Sequence, residues 1–160
     1  PLHIRYYEHY YYLTAADMEG TKILNFRIDQ IHRLNVDAME NEQGEVVTFD
    51  RSEFEHKLGV AKKFKDALGV WIHSEKDPLH EIQIAFYKWA ASYVKRLRLH
   101  PSQRVVSEDK SAQTLVISLR LRLTESVDTQ TPVIDRNPEL AFLLGRFRSD
   151  YKIISATPIR

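Results

Sequence analysis

Tyr10-Tyr11-Tyr12-Leu13-Thr14-Ala15-Ala16, followed by Asn25-Phe26-Arg27-Ile28-Asp29-Gln30-Ile31, is the pair of runs that decides how this chain folds. The first is a strand crowded with rings, and aromatics are favoured wherever a pleated surface packs. Side chains alternate along a strand, so Tyr10 and Tyr12 share one face while Tyr11 and Leu13 share the other. The second run alternates polar with apolar residues and sets Arg27 and Asp29 on one face. Upstream, residues 2–7 alternate in the same way, and Glu8-His9 separates them from the tyrosines as a tight connection would. Between the runs, Asp17-Met18-Glu19-Gly20 is turn chemistry, because Asp and Gly supply unusual backbone angles. The alternation then continues through Ile31, Leu34 and Val36, which predicts one long strand over 22–36, or two joined by a bulge near Asp29-Gln30. Successive antiparallel strands of this kind predict a small β-barrel.

Residues 39–50 are acidic, include Gly44 and predict a loop. Ser52-Glu53-Phe54-Glu55 has the spacing of a capping box and predicts a short helix to about Leu58. A second helical turn or a loop is expected over 61–67, and Trp71-Ile72 could open a strand. Residues 74–78 are polar and end in proline, which makes them the best boundary. Beyond them the order is clean. Residues 80–86 alternate as a strand, and 87–97 place Trp89, Ala90, Tyr93, Val94 and Leu97 at helical spacing. A hairpin is expected over 103–108 and 113–124, and a loop over 125–136. A helix over 138–147 should follow, with Asn137 as its cap and Pro138 in its first turn. A strand over 151–156 closes the chain. This β-α-β-β-α-β order is the ferredoxin-like arrangement. The expected fold class is therefore α+β: a β module over 1–50, a helical linker over 51–78 and a ferredoxin-like domain over 79–160.

The bulk numbers exclude more than they assign. An apolar fraction of 43% is enough for a core, and a net charge of +1 means any polyanion site must come from local clustering. With no cysteine, disulfides and thiolate metal sites are excluded and a reducing, cytoplasmic setting fits. No apolar run approaches the roughly twenty residues needed to cross a bilayer, so no membrane contact is expected. The chain opens on Pro1 rather than Met and shows no signal peptide, as a fragment would.

Chemistry-bearing patterns are few. The seven histidines do not cluster and no HExxH, GxSxG or phosphate-loop motif occurs, so neither cofactor nor metal is expected and an enzyme has no positive support. Arg5, Lys22, Arg27 and Arg33 are the cations of the first module. Arg27 could form a surface pair with Asp29, or hold a phosphate through its planar fork. Spacing does not choose between them. Tyr10 and Tyr12, if exposed beside these cations, could stack bases; ordinary strand packing is the commoner reason for such rings. Residues 88–104 carry Lys88, Lys95, Arg96, Arg98, His100 and Arg104 with no acidic residue, the strongest charge bias in the chain. Cations at a helix C-terminus favour the dipole, so a solvated face competes with a polyanion contact there.

Several short motifs lie in a telling order. Tyr11-Tyr12-Leu13 within Tyr10-Tyr11-Tyr12-Leu13-Thr14-Ala15-Ala16-Asp17, then Phe26-Arg27-Ile28-Asp29-Gln30-Ile31, resembles a WYL domain, the ligand-sensing half of many bacterial transcription regulators. Tyr93-Val94-Lys95-Arg96-Leu97-Arg98-Leu99-His100-Pro101-Ser102-Gln103, Glu139-Leu140, Leu143-Leu144-Gly145, Ile153-Ile154-Ser155 and Pro158-Ile159-Arg160 resemble the extension that often follows it. The resemblance implies a small Sm/SH3-like barrel whose first strand lies upstream of Pro1, leaving the barrel incomplete or completed by another copy. It also implies a homodimer, operator DNA bound through a separate N-terminal domain, and a single-stranded nucleic-acid or nucleotide ligand. In the family, the second residue of the triplet and basic residues of the FRxD strand line the pocket, here Tyr12 and Arg27. Arg5, Lys22 and Tyr10 complete the candidate ligand-binding set, and Lys95, Arg96, Arg98 and His100 make a secondary basic patch. Two departures stand out: Leu24 and Gln30 occupy positions where many members carry arginine. The rival expectation is a dimerisation or protein-interaction module with no small ligand.

Overall fold

In a computed structural model of the chain, residues 1–17, 19–33, 39–40, 43–47, 50–74, 76–125 and 131–159 are described. It is a mixed α+β protein that divides into two compact units, Pro1–Lys62 and Lys63–Arg160. No helix among the described residues is long and apolar enough to cross a membrane.

The first unit is built on three antiparallel strands, β1 (His3–Tyr7), β2 (Tyr10–Ala16) and β3 (Ile23–Arg27), in the order β1-β2-β3. Glu8 and His9 make the first connection, both with positive φ (49° and 70°). That is the mirror-image turn whose twist matches two paired strands. The second connection is organised by Asp17, whose carboxylate accepts from Thr21 N, Thr21 Oγ1 and Lys22 N at 2.7, 2.7 and 3.0 Å. These donors hold its pKa down to about 2. The long strand predicted over 22–36 is shorter than its alternation suggests. It ends at Arg27, and Ile28–Gln30 turn into one 3-10 helical turn. Leu34 and Val36, the far end of that prediction, lie outside the described residues.

A two-stranded ribbon, β4 (Met39–Glu40) with β5 (Val46–Val47), falls where a loop was expected. Helix α1 (Arg51–Leu58) follows. Its cap is Asp50, not Ser52: Asp50 Oδ1 accepts from Ser52 N at 2.8 Å and from Ser52 Oγ at 2.6 Å. Glu55, freed from a capping box, accepts from Ala61 N at 3.0 Å and meets His3 Nε2 at 2.8 Å. Gly59 ends α1 in the left-handed conformation, φ 58°. Gly20, also left-handed, is buried, and a methyl there would stand 2.6 Å from the Phe54 ring. Helix α2 (Val60–Lys65) comes next.

The second unit holds the main core. Strands β6 (Leu79–Tyr87), β7 (Arg104–Asp109), β8 (Thr114–Arg122) and β9 (Tyr151–Pro158) form one antiparallel sheet ordered β7-β8-β6-β9. Helix α3 (Lys88–Arg96) links β6 to β7, and α4 (Pro138–Gly145) links β8 to β9. Register pairs Ile82 with Leu119, Ile84 with Ile117 and Phe86 with Leu115, so all six face one side. Ala90, Ala91 and Val94 of α3, Leu140 and Leu144 of α4, and Phe147 close over them. The alternation that marked these strands in the sequence is thus the alternation of one buried face.

Two local expectations fail in the second unit. Trp71-Ile72 opens no strand. Its backbone is held instead by Glu139, whose carboxylate accepts from Gly69 N, Val70 N and Trp71 N at 2.7, 2.6 and 2.8 Å. The loop expected over 125–136 contains a 3-10 helix, Val133–Arg136, while residues 126–130 lie outside the described set. Asn137 does cap α4, accepting from Leu140 N at 2.9 Å.

Candidate functional site

Cross-strand register assembles the first candidate site. Tyr12 lies directly opposite Arg5 on β1 and directly opposite Arg27 on β3. Residues directly opposite share a face, so Arg5, Tyr12 and Arg27 form one row across the sheet. Tyr7 and Tyr10 make the next row on that face, and His3, Thr14 and Asn25 the row on its other side. Thr14 is fully buried and donates to Asn25 Oδ1 at 2.7 Å. Through the His3–Glu55 contact at 2.8 Å, α1 is tied to this same face.

The end of β3 shapes the site. Because the strand stops at Arg27, Tyr10 has no ladder partner on the β3 side. The Arg27 guanidinium leans over the Tyr10 ring instead, 4.2 Å from its centroid. The 3-10 turn brings Asp29 back so that Arg27 Nε donates to Oδ1 at 2.8 Å and Nη2 to Oδ2 at 3.1 Å. Those hydrogen bonds push the guanidinium pKa further up from its already high value. Of the two roles left open for Arg27, the structure displays the pair with Asp29. Its ring contact is to Tyr10, while Tyr12 stands opposite it in register.

The other members are placed differently. Lys22 precedes β3 at its far end, roughly 16 Å along the strand from Arg27 at ~3.3 Å per residue, so it does not join the row. Leu24 lies on the opposite face of β3 from Arg27, and Gln30 ends the 3-10 turn. An arginine at position 24 would therefore point away from the row.

That opposite face is the unusual one. Ile4, Tyr6, Tyr11, Leu24 and Phe26 all lie on it and are all exposed, with no charged residue among them. Tyr6 and Tyr11 are in ring contact there, centroids 5.1 Å apart.

The basic patch of the second unit is mostly committed to the protein itself. Lys95 Nζ bonds both oxygens of Glu108 at 2.7 and 2.9 Å. Arg98 donates to the Pro101 carbonyl, and Arg96 Nε to the Ser92 carbonyl at 3.3 Å. His100 is not a surface cation: it is buried, and its Nδ1 meets Ser102 Oγ at 2.7 Å.

Two buried polar groups escaped the sequence reading. Glu139 is one. His73 is the other, with Nε2 accepting from Asn137 Nδ2 at 3.2 Å and Nδ1 lying 3.5 Å from Asp77 Oδ2. Burial pushes its pKa below the ordinary value of 6.5, against the pull of Asp77. The partners of Glu139 lie 68 to 70 residues away and His73 meets Asn137 across 64, so only the His73–Asp77 contact, four residues apart, is local. No family model matches the chain, and no curated protein matches it.

Proposed function

We propose that the chain is the effector-sensing part of a bacterial transcription regulator of the WYL type. Its first unit captures a single-stranded nucleic-acid or nucleotide ligand. Its second unit relays that capture to a homodimer and a linked DNA-binding domain in the cytoplasm. The row Arg5–Tyr12–Arg27, with Arg27 over Tyr10, carries the reading. It puts two guanidinium-bearing residues and two rings on one face, which is what phosphate pairing and base stacking require. The fold names belong to the same proposal. The meander β1–β3 suits part of an Sm-like barrel, and the order β7-β8-β6-β9 suits a ferredoxin-like domain.

Capture at this site is an exchange. Arg27 already holds Asp29, so a ligand phosphate must displace that carboxylate. The pair is exposed, and water screens such pairs until they contribute little, so the exchange costs little. Relay to the dimer is allosteric only where the ligand binds two states of the protein unequally.

Fluorescence anisotropy with a short single-stranded DNA tests the site. Arg27→Ala should weaken binding about tenfold and lower the salt slope by about one. Asp29→Asn should tighten binding, because the fork is released. Unchanged affinity in both variants refutes the role of Arg27.

The exposed, charge-free face of β1–β3 favours a second reading, a protein-interaction module. Sedimentation with and without the oligonucleotide separates the two. Self-association that ignores the oligonucleotide, together with no anisotropy change, selects the interaction module.

A further inference from the structure

Trp89, Ser92, Tyr93, Arg96 and Leu97 line one open groove on α3. Their spacing, i, i+3, i+4, i+7 and i+8, is a single helical stripe. Ala90, Ala91 and Val94 face the core from the other side. An amphipathic helix normally gives its outer stripe to charged residues. Here Trp89, Tyr93 and Leu97 are 51, 40 and 44% exposed.

The rings are not loose. Trp89 and Tyr93 lean on the fully buried Phe147, with centroids 5.6 and 5.8 Å away. They are therefore held before any ligand arrives, which reduces the ordering cost of binding. Trp89 and Tyr93 lie 6.1 Å apart with their planes at 66°. Two consecutive bases stacked on both rings would be turned apart from each other. A single strand can splay its bases that way and a paired duplex cannot.

Arg96 supplies the charge. Its Nε is anchored on the Ser92 carbonyl, so the rest of its planar fork is presented along the same groove. The helix C-terminus is the wrong end for an anion, so the attraction must come from this side chain and not from the backbone. The three exposed apolar side chains offer on the order of 300 Å² together. That is well below the ~800 Å² per partner of a stable protein interface, but it matches one or two bases.

We infer that this groove is a second stacking site for single-stranded nucleic acid, with bases on Trp89 and Tyr93 and a phosphate on Arg96. It rests on the ligand class of the reading above but uses none of the residues of β1–β3.

Trp71→Phe makes Trp89 the sole tryptophan, because the chain has two. Titration of this variant with a ten-residue thymidine oligonucleotide should quench Trp89 emission saturably. Adding Trp89→Ala should weaken oligonucleotide binding about tenfold by anisotropy. Arg96→Ala, a surface change, should weaken it several-fold and lower the salt slope by about one. Oligonucleotide binding by anisotropy with no change in Trp89 emission overturns this site and leaves the Arg27 site standing. Quenching that persists in Arg27→Ala supports this site even where the Arg27 site fails. Equal quenching by a duplex of the same length overturns the single-strand assignment. A concentration-dependent emission change without oligonucleotide, abolished in Arg96→Ala, overturns it in favour of self-association.

Discussion

At the scale of single residues, buried polar groups with distant partners hold the second unit together. Glu139 accepts three backbone N–H groups from residues 69–71, a stretch with no strand or helix of its own. Glu139→Gln turns one acceptor into a donor facing a donor. It should cost about 2–3 kcal/mol in urea unfolding, since hydrogen bonds to charged groups are the strong ones. His73 makes stability depend on pH. It faces Asp77, Asn137 and Arg122, and its folded pKa lies below 6.5. The unfolded chain therefore takes up the proton first as pH drops. The contribution of His73 is complete above about 6.5 and is lost as pH falls through the folded value. Unfolding midpoints from pH 7.5 down to 5 should decline, and His73→Asn should flatten that decline. Asp17, with its pKa near 2, adds a second loss at lower pH: its contribution is present above the ordinary 3.8 and disappears as pH falls towards 2. The buried role of neither Glu139 nor His73 was visible in the sequence. A carboxylate in a first helical turn looks like a dipole partner, and nothing local tells of a loop that folds back onto it.

Elements repeat this division between local and distant causes. Helix α4 was legible because Asn137 and Pro138 are start signals that act within one turn. Yet Asn137 also donates to His73 Nε2 and to the Arg122 carbonyl at 3.1 Å, so it is a buried junction as well as a cap. Asn137→Ala should therefore cost about 2 kcal/mol or more, at the top of the range for caps, whereas Asp50→Ala at exposed α1 should cost clearly less. Chemical denaturation of the two variants side by side checks the difference. Strand β3 was misjudged in length because alternation continues in the residue types after Arg27 while the backbone does not continue in the strand. Period-2 patterning reports which residues could alternate, not where pairing stops. The capping residue of α1 was misplaced for a similar reason: Asp50 and Ser52 are both capping types, and only geometry ranks them.

For the whole molecule, the contrast lies between the two units. The large apolar cluster, from Ile82 to Phe147, belongs wholly to the second unit. In the first unit the buried hydrophobics among the described residues are Leu2, Leu58 and Val60, while Ile4, Tyr6, Tyr11, Leu24 and Phe26 stand exposed. Residues 63–160 alone should thus unfold cooperatively on heating, monitored by circular dichroism. Residues 1–62 alone should not, because so short a chain with so few buried groups falls short of its ordering entropy. By itself the sequence determined the strand and helix order from β6 to β9, the tyrosine hairpin and the cap of α4. Each of these is written in neighbouring residues, through period, turn chemistry or a start signal. Tertiary structure alone decided that Arg27 is held by Asp29 over Tyr10, that the charge-free face of the first sheet is the exposed one, and that Glu139 and His73 are buried junctions. These depend on where a strand ends and on which distant segments meet, and residue spacing carries no measure of either.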